Sequence, residues 1–535
     1  RHVMKADDGG LGISYDRALT WLYITHLPVS QFYRVSFDYQ NPYWVYGGLQ
    51  DNGSWAGPNA TYRSEGILNN DWVKWGGGDG FLNLVDTTDN RTLYVESQYL
   101  GLSRADLING QRQSIRPGDP TGAIGARKNW TTWQDLEAPE QRLGNAMAPA
   151  NWDGPFLLSP HDPHTIYAGT NILWKSTDQG RNWESLGDLT TGTDRRTLRI
   201  MGQLPRPTVL SLDDGIPYWP TLTAIAESPL EEGVLYVGAD DGSMHVSADG
   251  GMTWARVTDR LPGLPSDSWI NGIEASHHEA GRVYMAANNY RNDDYANYLF
   301  VSEDYGENWR SIADGLPAEL VARTVREDPR NPHVLYLGTE FGAFYSADRG
   351  ENWTALGLGL PTQPVNDLVV HPRDNDLILG THGRGIWILD QINALQELTP
   401  GVMASAGHLF TTHPAEQIRY RSEKGHAGDM IFRGENPPSG AILDFWLASE
   451  DSEARISILD GAGEEIAGVP VRNQVGGVNR VLWNLRHRAP GQGEEETPRG
   501  PLVVPGSYTV RLTVDGQGFE TPLEGREDPR IQVTQ

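Results

Sequence analysis

The sequence predicts an all-β protein, a β-propeller of about seven blades followed by a fibronectin- or immunoglobulin-like β-sandwich, and three observations support this. First, an eight-residue frame, Ser-x-Asp-x-Gly-x-x-Trp, recurs along the first two thirds of the chain. Second, a β-hairpin pattern recurs in register with it. Third, both repeats stop before residue 432, and strands of simple alternation take their place. Internal repeats of this kind are typical of blade architectures.

The eight-residue frame is a turn motif, the Asp-box. Asp accepts hydrogen bonds from backbone N–H groups beyond it, and Gly supplies a positive φ without steric cost. The frame occurs at 176–183, 247–254, 302–309 and 346–353, and a degenerate copy with Ala18 in place of Gly lies at 14–21. We expect the box aspartates to be structural; they are Asp16, Asp178, Asp249, Asp304 and Asp348. We expect the following tryptophans to be largely buried between blades in equivalent positions; they are Trp183, Trp254, Trp309 and Trp353.

The hairpin pattern precedes the frames. It consists of an apolar strand, a turn of Pro, Asp or Asn, and a second strand that ends in a small residue. Copies lie at 37–47, 85–97, 158–169, 227–238, 275–286, 327–338 and 370–380. A hairpin and a frame together supply four short strands, which is the content of one propeller blade.

The repeats and their ends suggest four segments. Residues 1–28 resemble a partial blade that either ends an upstream propeller or closes this ring, with Tyr23 in the outer strand of the last blade. Residues 29–395 form the propeller, 396–431 a linker and 432–535 the sandwich, in which we expect Trp446 and Trp483 to lie in the core.

Composition restricts the partners. A formal net charge of −27 and a pI near 4.9 argue against nucleic acid and against anionic membrane surfaces. The chain has no Cys and therefore no disulfide framework. No stretch approaches the roughly 20 apolar residues that a membrane helix needs, so we expect no transmembrane segment.

The Asp-boxes, together with segments 47–55 and 434–441, resemble those of the bacterial sortilin-like or BNR-repeat β-propeller proteins, over nearly the whole chain. More distantly they resemble the propellers of sialidases and xyloglucanases. This resemblance implies an extracellular, periplasmic or cell-surface protein. It indicates fold more than chemistry, because binding proteins and hydrolases both carry Asp-boxes.

Propeller geometry then indicates where a site should be. If Asp-boxes connect third and fourth strands, the turns between second and third strands lie at the opposite face, near the channel. The polar residues of these turns, our candidate ligand-binding residues, are Gln50, Asp51, Asn52, Asn288, Tyr290, Arg291, Glu340, His382 and Arg384. Aromatic residues expected nearby are Tyr99, Trp152, Trp219, Trp269 and Phe341. Converging polar and aromatic groups are typical of a glycan or peptide site, so we predict a binding protein.

Two other functions remain open. A glycoside hydrolase needs two carboxylates across a cleft, and the candidates are Asp8, Asp51 and Glu340, with Asp79, Asp153 and Asp240 as further possibilities. Asp8 lies in an Asp-x-Gly-Gly element that resembles one in xyloglucanases, whereas the Arg-Ile-Pro element of sialidases is missing. We expect no close, buried carboxyl pair. The third function is that of a structural subunit whose partner is an upstream propeller half or another envelope protein.

We expect no cofactor and no metal. The acidic pairs Asp240-Asp241 and Asp293-Asp294 lack the spacing of a dedicated calcium loop.

Overall fold

A computed structural model describes residues 2–118, 149–193, 197, 199, 202–204, 219–357, 359–423, 428–493 and 496–531. The chain is almost entirely β and divides into two compact units. The first comprises Arg1–Gly57, Trp72–Val370 and Ile378–Ile388, and the second comprises Pro58–Asp71, His371–Leu377 and Leu389–Gln535.

The first unit begins with a separate three-stranded sheet and continues with seven successive sheets, the blades, among the described residues. The separate sheet consists of β1 (Val3–Asp7), β2 (Gly10–Ser14) and β3 (Leu22–Ile24). Blade one consists, from first to last strand, of β4 (Phe32–Phe37), β5 (Trp44–Leu49), β6 (Gly53–Pro58) and β8 (Val73–Lys74). Blade two consists of β9 (Gly80–Val85), β10 (Thr92–Ser97), β11 (Ser103–Asp106) and β12 (Arg112–Ser114). Blade three consists of β13 (Phe156–Leu158), β14 (Ile166–Gly169), β15 (Ile172–Ser176) and β16 (Glu184–Asp188).

Blades four to seven repeat the antiparallel pattern. Blade four consists of β17 (Leu222–Glu227), β18 (Leu235–Ala239), β19 (Met244–Ser247) and β20 (Ala255–Arg256), and blade five of β21 (Trp269–Ala275), β22 (Val283–Asn289), β23 (Asp294–Ser302) and β24 (Arg310–Ser311). Blade six consists of β25 (Ala322–Glu327), β26 (Leu335–Thr339), β27 (Gly342–Ser346) and β28 (Thr354–Ala355). Blade seven has three strands, β29 (Val365–His371), β30 (Asp376–Thr381) and β31 (Gly385–Leu389). Short 3-10 helices span Thr258–Arg260 and Tyr290–Asn292.

The seven blades close into a ring. The first strands of blades one to six contact one another in order, and Arg326 Nε of blade six donates to the Leu368 carbonyl of blade seven at 3.2 Å. Blade seven meets blade one where the Val35 N–H donates to Asp367 Oδ2 at 3.1 Å. The Asn366 amide donates to the Phe32 carbonyl at 3.1 Å beside it. The expectation that Tyr23 supplies the outer strand of the last blade is wrong, because β3 pairs with β2 and completes the separate sheet. That residues 1–28 end an upstream blade stays a prediction.

The small residues that end the second strands stand where blades approach most closely. A Cβ added to Gly338 would lie 2.4 Å from the Val365 carbonyl oxygen, in the first strand of the next blade. One added to Gly380 would lie 2.8 Å from the Val35 side chain, where the ring closes. The recurrent glycine therefore reflects crowding of the inner strands around the channel.

The five Asp-boxes share one set of hydrogen bonds. In the third complete copy, the Ser302 hydroxyl donates to Asp304 Oδ1 at 3.0 Å and accepts the Gly306 N–H at 2.8 Å. Asp304 also accepts the backbone and side-chain N–H groups of Asn308 at 2.8 and 2.7 Å. The contacts to serine and to the backbone N–H recur at Asp16, Asp178, Asp249 and Asp348. The side-chain donor is again Asn at Asp178 and Asp348, but it is a threonine hydroxyl at Asp16 and Asp249. Ala18 takes the glycine position of the degenerate copy at a φ of 70°.

The box tryptophans differ in one respect from expectation. The indoles of Trp183, Trp254 and Trp353 are half-buried and donate to a backbone carbonyl of the preceding blade, for example Trp353 Nε1 to the Ile312 oxygen at 2.8 Å. Trp309 is 9% exposed and donates to its own Gly306. The carbonyl that would correspond to Ile312, that of Val257, is already bonded to the Arg260 N–H.

The second unit contains a pair of sheets that share one core. Its strands are β7 (Ile67–Leu68), β32 (Gly407–Leu409), β33 (Ala415–Gln417), β34 (Arg433–Gly434), β35 (Ala441–Leu447), β36 (Ala454–Leu459), β37 (Glu465–Val469), β38 (Gly477–Trp483), β39 (Gly506–Val514) and β40 (Gln517–Glu527). The sheet orders are β32-β35-β38 and β33-β40-β39-β36-β37, and β7 pairs with β34. The core contains Phe445, Ile456, Trp483 and Leu512. Assignment of this unit to the fibronectin- or immunoglobulin-like sandwiches stays a prediction.

Two details of this unit differ from expectation. The segment 396–431, expected to be a linker, contains a helix at Pro400–Met403 and the strands β32 and β33, which join the two sheets. A second short helix precedes it at Asn393–Glu397. Trp483 is fully buried, but Trp446 is half-buried because it alternates onto the outer side of β35. In the part of the chain that the structure describes, no helix has the length and apolar character needed to cross a membrane.

Candidate functional site

A cavity of about 610 Å³ opens at the end of the ring opposite the Asp-boxes. Its lining comes from all seven blades, through the first strands or the segments that lead into them and through turns between second and third strands. The cavity is therefore the mouth of the central channel, and one side chain from each blade can reach a ligand held there.

A repeated β-bulge aims the first-strand residues into this cavity. In four blades the pairing of first and second strands skips one residue close to the channel mouth. The skipped residues are Tyr33, Thr223, Asn271 and Arg323, and each lines the cavity. A bulge leaves one residue unpaired and redirects its side chain, which explains why these four positions face the channel instead of a neighbouring blade.

The turns between second and third strands deliver most of the residues expected from the sequence. Gln50, Asp51, Asn288, Tyr290, Arg291, Glu340 and His382 all line the cavity. Two of the candidate residues do not. The Asn52 amide turns away to the carbonyls of Asp8 and Gln50, both at 3.0 Å, and Arg384 is exposed.

The expected aromatic residues divide in the same way. Tyr99, Trp152 and Trp269 line the cavity together with Tyr290. Trp219 is 3% exposed and does not reach the cavity, and Phe341 is 56% exposed outside it. In a turn of two residues after β26, the side chains of Glu340 and Phe341 diverge, so only one of them faces the channel.

Asp79 organises one wall of the cavity. Its carboxylate accepts the Asp51 N–H at 2.9 Å, the Trp152 indole N–H at 3.2 Å and the Tyr33 hydroxyl at 3.5 Å. Burial, followed by the Asp79 charge, raises the pKa of Tyr33, so its hydroxyl stays protonated and remains a donor. The carboxylate thus fixes two aromatic side chains at the mouth.

The same wall continues through Gln50 to His382. Gln50 Oε1 lies 3.2 Å from the Tyr33 hydroxyl and 3.2 Å from His382 Nε2. Burial, and to a lesser degree the Arg323 charge, lowers the pKa of His382, so the ring is neutral at pH 7.

The carboxyl groups of Glu96 and Asp153 are electrostatic neighbours on this side of the cavity, but 26% of the Asp153 side chain is exposed, so the expectation of no close, buried carboxyl pair stays a prediction. Arg34 Nε donates to Asp153 Oδ2 at 3.0 Å, and both residues line the cavity. Glu96, which is 0% exposed, accepts the Leu82 N–H through Oε2 at 3.2 Å, and its Oε1 has no donor among the described residues. Burial, followed by the Asp153 charge, raises the pKa of Glu96 well above its ordinary value. Burial also raises the pKa of Asp153, although Arg34 opposes this.

The opposite wall is cationic and aromatic. The Arg291 guanidinium carbon lies 3.9 Å from the centroid of the Trp269 ring and 4.7 Å from that of Tyr290. Arg323 lies 5.5 Å from the Tyr290 centroid and is paired with Glu340 through Nη2. Burial lowers the pKa of both arginines, and the positive charge of Arg291 adds to this effect at Arg323.

The remaining hydrolase candidates have other roles or positions. Glu340 is held by Arg323 and is not shielded by Phe341, so it lacks the apolar surroundings expected of a protonated acid. Asp8 is exposed on the separate β1–β3 sheet, and Asp51 is exposed at the cavity rim. Asp240 is buried behind the wall, where it accepts the Thr221 N–H and hydroxyl at 2.7 and 2.6 Å. Burial raises the pKa of Asp240 to about 8.

Sequence reasoning missed Tyr33, Arg34, Asn151, Thr223, Asn271 and Asn366 in the lining, and Glu96 behind it. A signal for some of them was present. Tyr33, Thr223, Asn271 and Asn366 are polar residues near the starts of first strands. Across the described ranges, no group of three or more His, Cys, Asp or Glu side chains is arranged to hold a metal ion.

Comparison with known proteins identifies the repeat. Residues 299–312 match the family model of the BNR-Asp box repeat. No curated protein matches the chain. Together with the seven blades and five Asp-boxes, the match identifies a BNR-repeat β-propeller.

Solved structures with some similarity are also propellers. The GH74 xyloglucanase from Xanthomonas campestris is 14% identical, over 93% of this chain and 74% of that one, with a TM-score of 0.46. The GH74 enzyme of Niastella koreensis is 13% identical, over 93% of this chain and 73% of that one, with a TM-score of 0.45. YCF48 from Cyanidioschyzon merolae is 10% identical, over 68% of this chain and 97% of that one, with a TM-score of 0.42. At these levels the similarities carry no argument about activity or ligand.

Proposed function

We propose that this protein is a glycan-binding β-propeller and that the channel-mouth cavity is its binding site. The observation that supports it most is the composition of the lining, which combines amide, hydroxyl and carboxylate groups with the aromatic side chains of Trp152, Trp269, Tyr99 and Tyr290. Sugars are recognised by such a combination, because their hydroxyls pair with polar side chains while their C–H faces pack on aromatic rings.

The cavity is also well suited to binding because much of it is preorganised. Asp79 holds Tyr33 and Trp152 in place, and Gln50 connects Tyr33 to His382. Side chains that are already immobilised lose little entropy when a ligand binds, which favours affinity. The proposed binding residues are Gln50, Asp51, Asn288, Tyr290, Arg291, Glu340 and His382, with the first-strand residues Tyr33, Asn271 and Arg323. A glycan ligand agrees with an extracellular, periplasmic or cell-surface location, which stays a prediction.

A glycan array followed by titration calorimetry on the full chain tests this proposal. Trp152→Ala removes an aromatic face of the cavity and should weaken binding of an array-positive glycan at least about tenfold. Phe341→Ala is the matched control, because Phe341 lies outside the cavity. Equal losses of glycan affinity in the two variants, or the absence of binding to any glycan on the array, would contradict the proposal.

A glycoside hydrolase is the second candidate, and the carboxyl pair Glu96–Asp153 favours it. A general acid needs a raised pKa; burial raises the pKa of Glu96 well above its ordinary value and shifts the pKa of Asp153 in the same direction. Asp153 lines the cavity, and Asp51 at the rim could serve as the second carboxylate. Release of reducing ends from a bound glycan, abolished by Asp153→Asn, would support hydrolysis over binding alone. Intact glycan after long incubation with the wild-type chain would exclude hydrolysis of that glycan.

A further inference from the structure

The cationic wall of the cavity has hydrogen-bonding groups and a charge that the protein leaves unused. Arg291 stacks on Trp269 and forms no ion pair with any carboxylate of the described residues. Three of the four carboxylates that line the cavity are engaged elsewhere. Glu340 pairs with Arg323, Asp153 pairs with Arg34, and Asp79 accepts three hydrogen bonds.

A second unused group adjoins the first. Arg323 is bound to Glu340 through Nη2, but its Nε is buried and has no acceptor within the described ranges. A buried donor without a partner costs free energy, and ligand atoms that accept from it recover that cost. The guanidinium carbons of Arg291 and Arg323 lie 4.7 and 5.5 Å from the Tyr290 centroid, so the unpaired charge and the free donor are neighbours in one wall of the cavity.

The third unused group is an acceptor. Asn288 is 2% exposed, lines the cavity and donates its amide N–H to Asn271 Oδ1. Asn271 in turn donates to the Ala322 carbonyl at 2.9 Å, so the orientation of both amides is fixed by backbone. Asn288 Oδ1 is then left buried without a donor in the described structure.

These three groups specify complementary chemistry. A guanidinium matches a planar carboxylate, which can accept two parallel N–H groups, and Asn288 Oδ1 requires a hydroxyl or N–H donor. A neutral sugar would leave Arg291 unpaired. A sugar that carries a carboxylate supplies the anion and adjacent hydroxyls from one small ring, while the facing wall of Gln50, Asp51 and His382 offers partners to its neighbours.

We propose, on the basis of the glycan-binding function above, that the cavity recognises a uronic acid residue of the glycan. Its carboxylate docks on Arg291 and Arg323, and a hydroxyl of the same ring donates to Asn288. Recognition is local. The net charge of −27 opposes approach of an anionic glycan over long distances, so affinity depends on these short contacts in the cavity.

Matched pairs of ligands test the proposal on the full chain. The probes are tetrasaccharides that contain galacturonate, glucuronate, mannuronate or guluronate, each compared by calorimetry with its carboxyl-reduced, neutral form. At least one acidic tetrasaccharide should bind roughly 10- to 100-fold more tightly than its reduced form. Equal binding of acidic and reduced forms overturns the uronate proposal but leaves glycan binding intact. Absence of binding to every tetrasaccharide and to the whole array overturns both.

Substitutions locate the contact. Arg291→Gln should remove most of the preference for the acidic form, and Arg291→Lys should restore part of it because the charge returns without the planar fork. Arg256→Gln is the control, since Arg256 is exposed on the last strand of blade four. If Arg291→Gln retains the full preference, the proposed contact is wrong. If that variant does not fold, the ratio of acidic to reduced binding in Arg323→Gln, which removes the second guanidinium, decides the question in its place.

A sulfated tetrasaccharide distinguishes the type of anion. A sulfate group offers three oxygens in a tetrahedral arrangement, whereas a carboxylate offers two oxygens in one plane, so the two kinds of ligand compare these anion geometries at the same site. Tighter binding of the sulfated ligand than of every uronate, or binding of a peptide carboxylate in preference to sugars, would overturn the proposal.

Discussion

Arg34 and Asp153 form an ion pair, with 3.0 Å between Arg34 Nε and Asp153 Oδ2, that connects the first blade with the segment leading into the third. Glu96 of the second blade lies behind them, and the charges of both reach it. Three consecutive blades thus meet in one electrostatic cluster at the channel. About a quarter of each ion-pair side chain is exposed, so the cavity and any ligand in it share this cluster.

Breaking this pair should destabilise the propeller. Arg34→Met leaves Asp153 and Glu96 without their cation, and Asp153→Leu leaves Arg34 unpaired. Loss of one partner of a buried pair typically costs 3–5 kcal/mol, and for this partly exposed pair we expect about 2–4 kcal/mol from each single change. The double variant should cost less than the sum, because neither charge is then left unpaired. Urea unfolding of the wild type, the two single variants and the double variant measures the coupling free energy between Arg34 and Asp153. Losses of unfolding free energy that simply add in the double variant would contradict the electrostatic interpretation.

The box tryptophans should differ in their contributions to stability. Trp309 lies in a buried core cluster, so Trp309→Ala should cost about 3–5 kcal/mol. Trp353 is half-buried and bonds to Ile312 of the preceding blade, so Trp353→Phe should cost about 1 kcal/mol through loss of that hydrogen bond. The thermal unfolding midpoints of the two variants rank these two effects on stability. A larger effect at Trp353 than at Trp309 would show that the contact between blades outweighs burial.

The fold could be predicted because its signals are local. An Asp-box needs only Ser302, Asp304 and Gly306 in their spacing to close its turn, and all the hydrogen bonds join residues four positions apart or fewer. The order of strands then follows from repetition. Seven of the nine predicted ligand-binding residues reach the cavity for the same reason, since they occupy equivalent turns.

The rest of the site depends on distant contacts. Tyr33 and Asn271 enter the cavity because of bulges, and a bulge is defined by pairing with a second strand. Glu96 acquires its raised pKa from burial and from Asp153, which is 57 residues away in the chain. Asn52 and Arg384 have suitable chemistry but turn outward, which depends on the partners they meet in space.

Asp240 should give the propeller a pH-dependent stability. Its pKa rises through burial from an ordinary value of 3.8 to about 8 in the folded protein, so between these values the folded state holds a proton that the unfolded state has lost. Stability from this group is therefore complete below about pH 4 and decreases by about 1.4 kcal/mol per pH unit up to about pH 8. The decrease ends above that pH, where both states are ionised.

Asp240→Asn isolates this effect. The amide oxygen can still accept the Thr221 N–H, and the side chain no longer titrates. Relative to wild type, the variant should gain thermal midpoint steadily from pH 5 to pH 8 and no further above it. A constant difference between the two proteins over that range would show that the Asp240 carboxyl does not change its ionisation on folding.

The boundary of the binding site can be tested within a single turn. Gln50 and Asn52 follow the same strand, β5, and both were expected to bind ligand from their sequence positions. In the structure, Gln50 Oε1 faces Tyr33 and His382 at the cavity, whereas the Asn52 amide donates to the Asp8 carbonyl outside it.

Gln50→Ala should therefore weaken glycan binding about tenfold, through loss of a polar contact and of the support it gives to His382. Asn52→Ala should leave affinity within about twofold of wild type, since removal of a contact outside the cavity leaves the ligand's partners in place. Calorimetry with one glycan and both variants decides between them. A loss at Asn52 equal to that at Gln50 would mean that the ligand extends beyond the cavity, over the turn between β1 and β2.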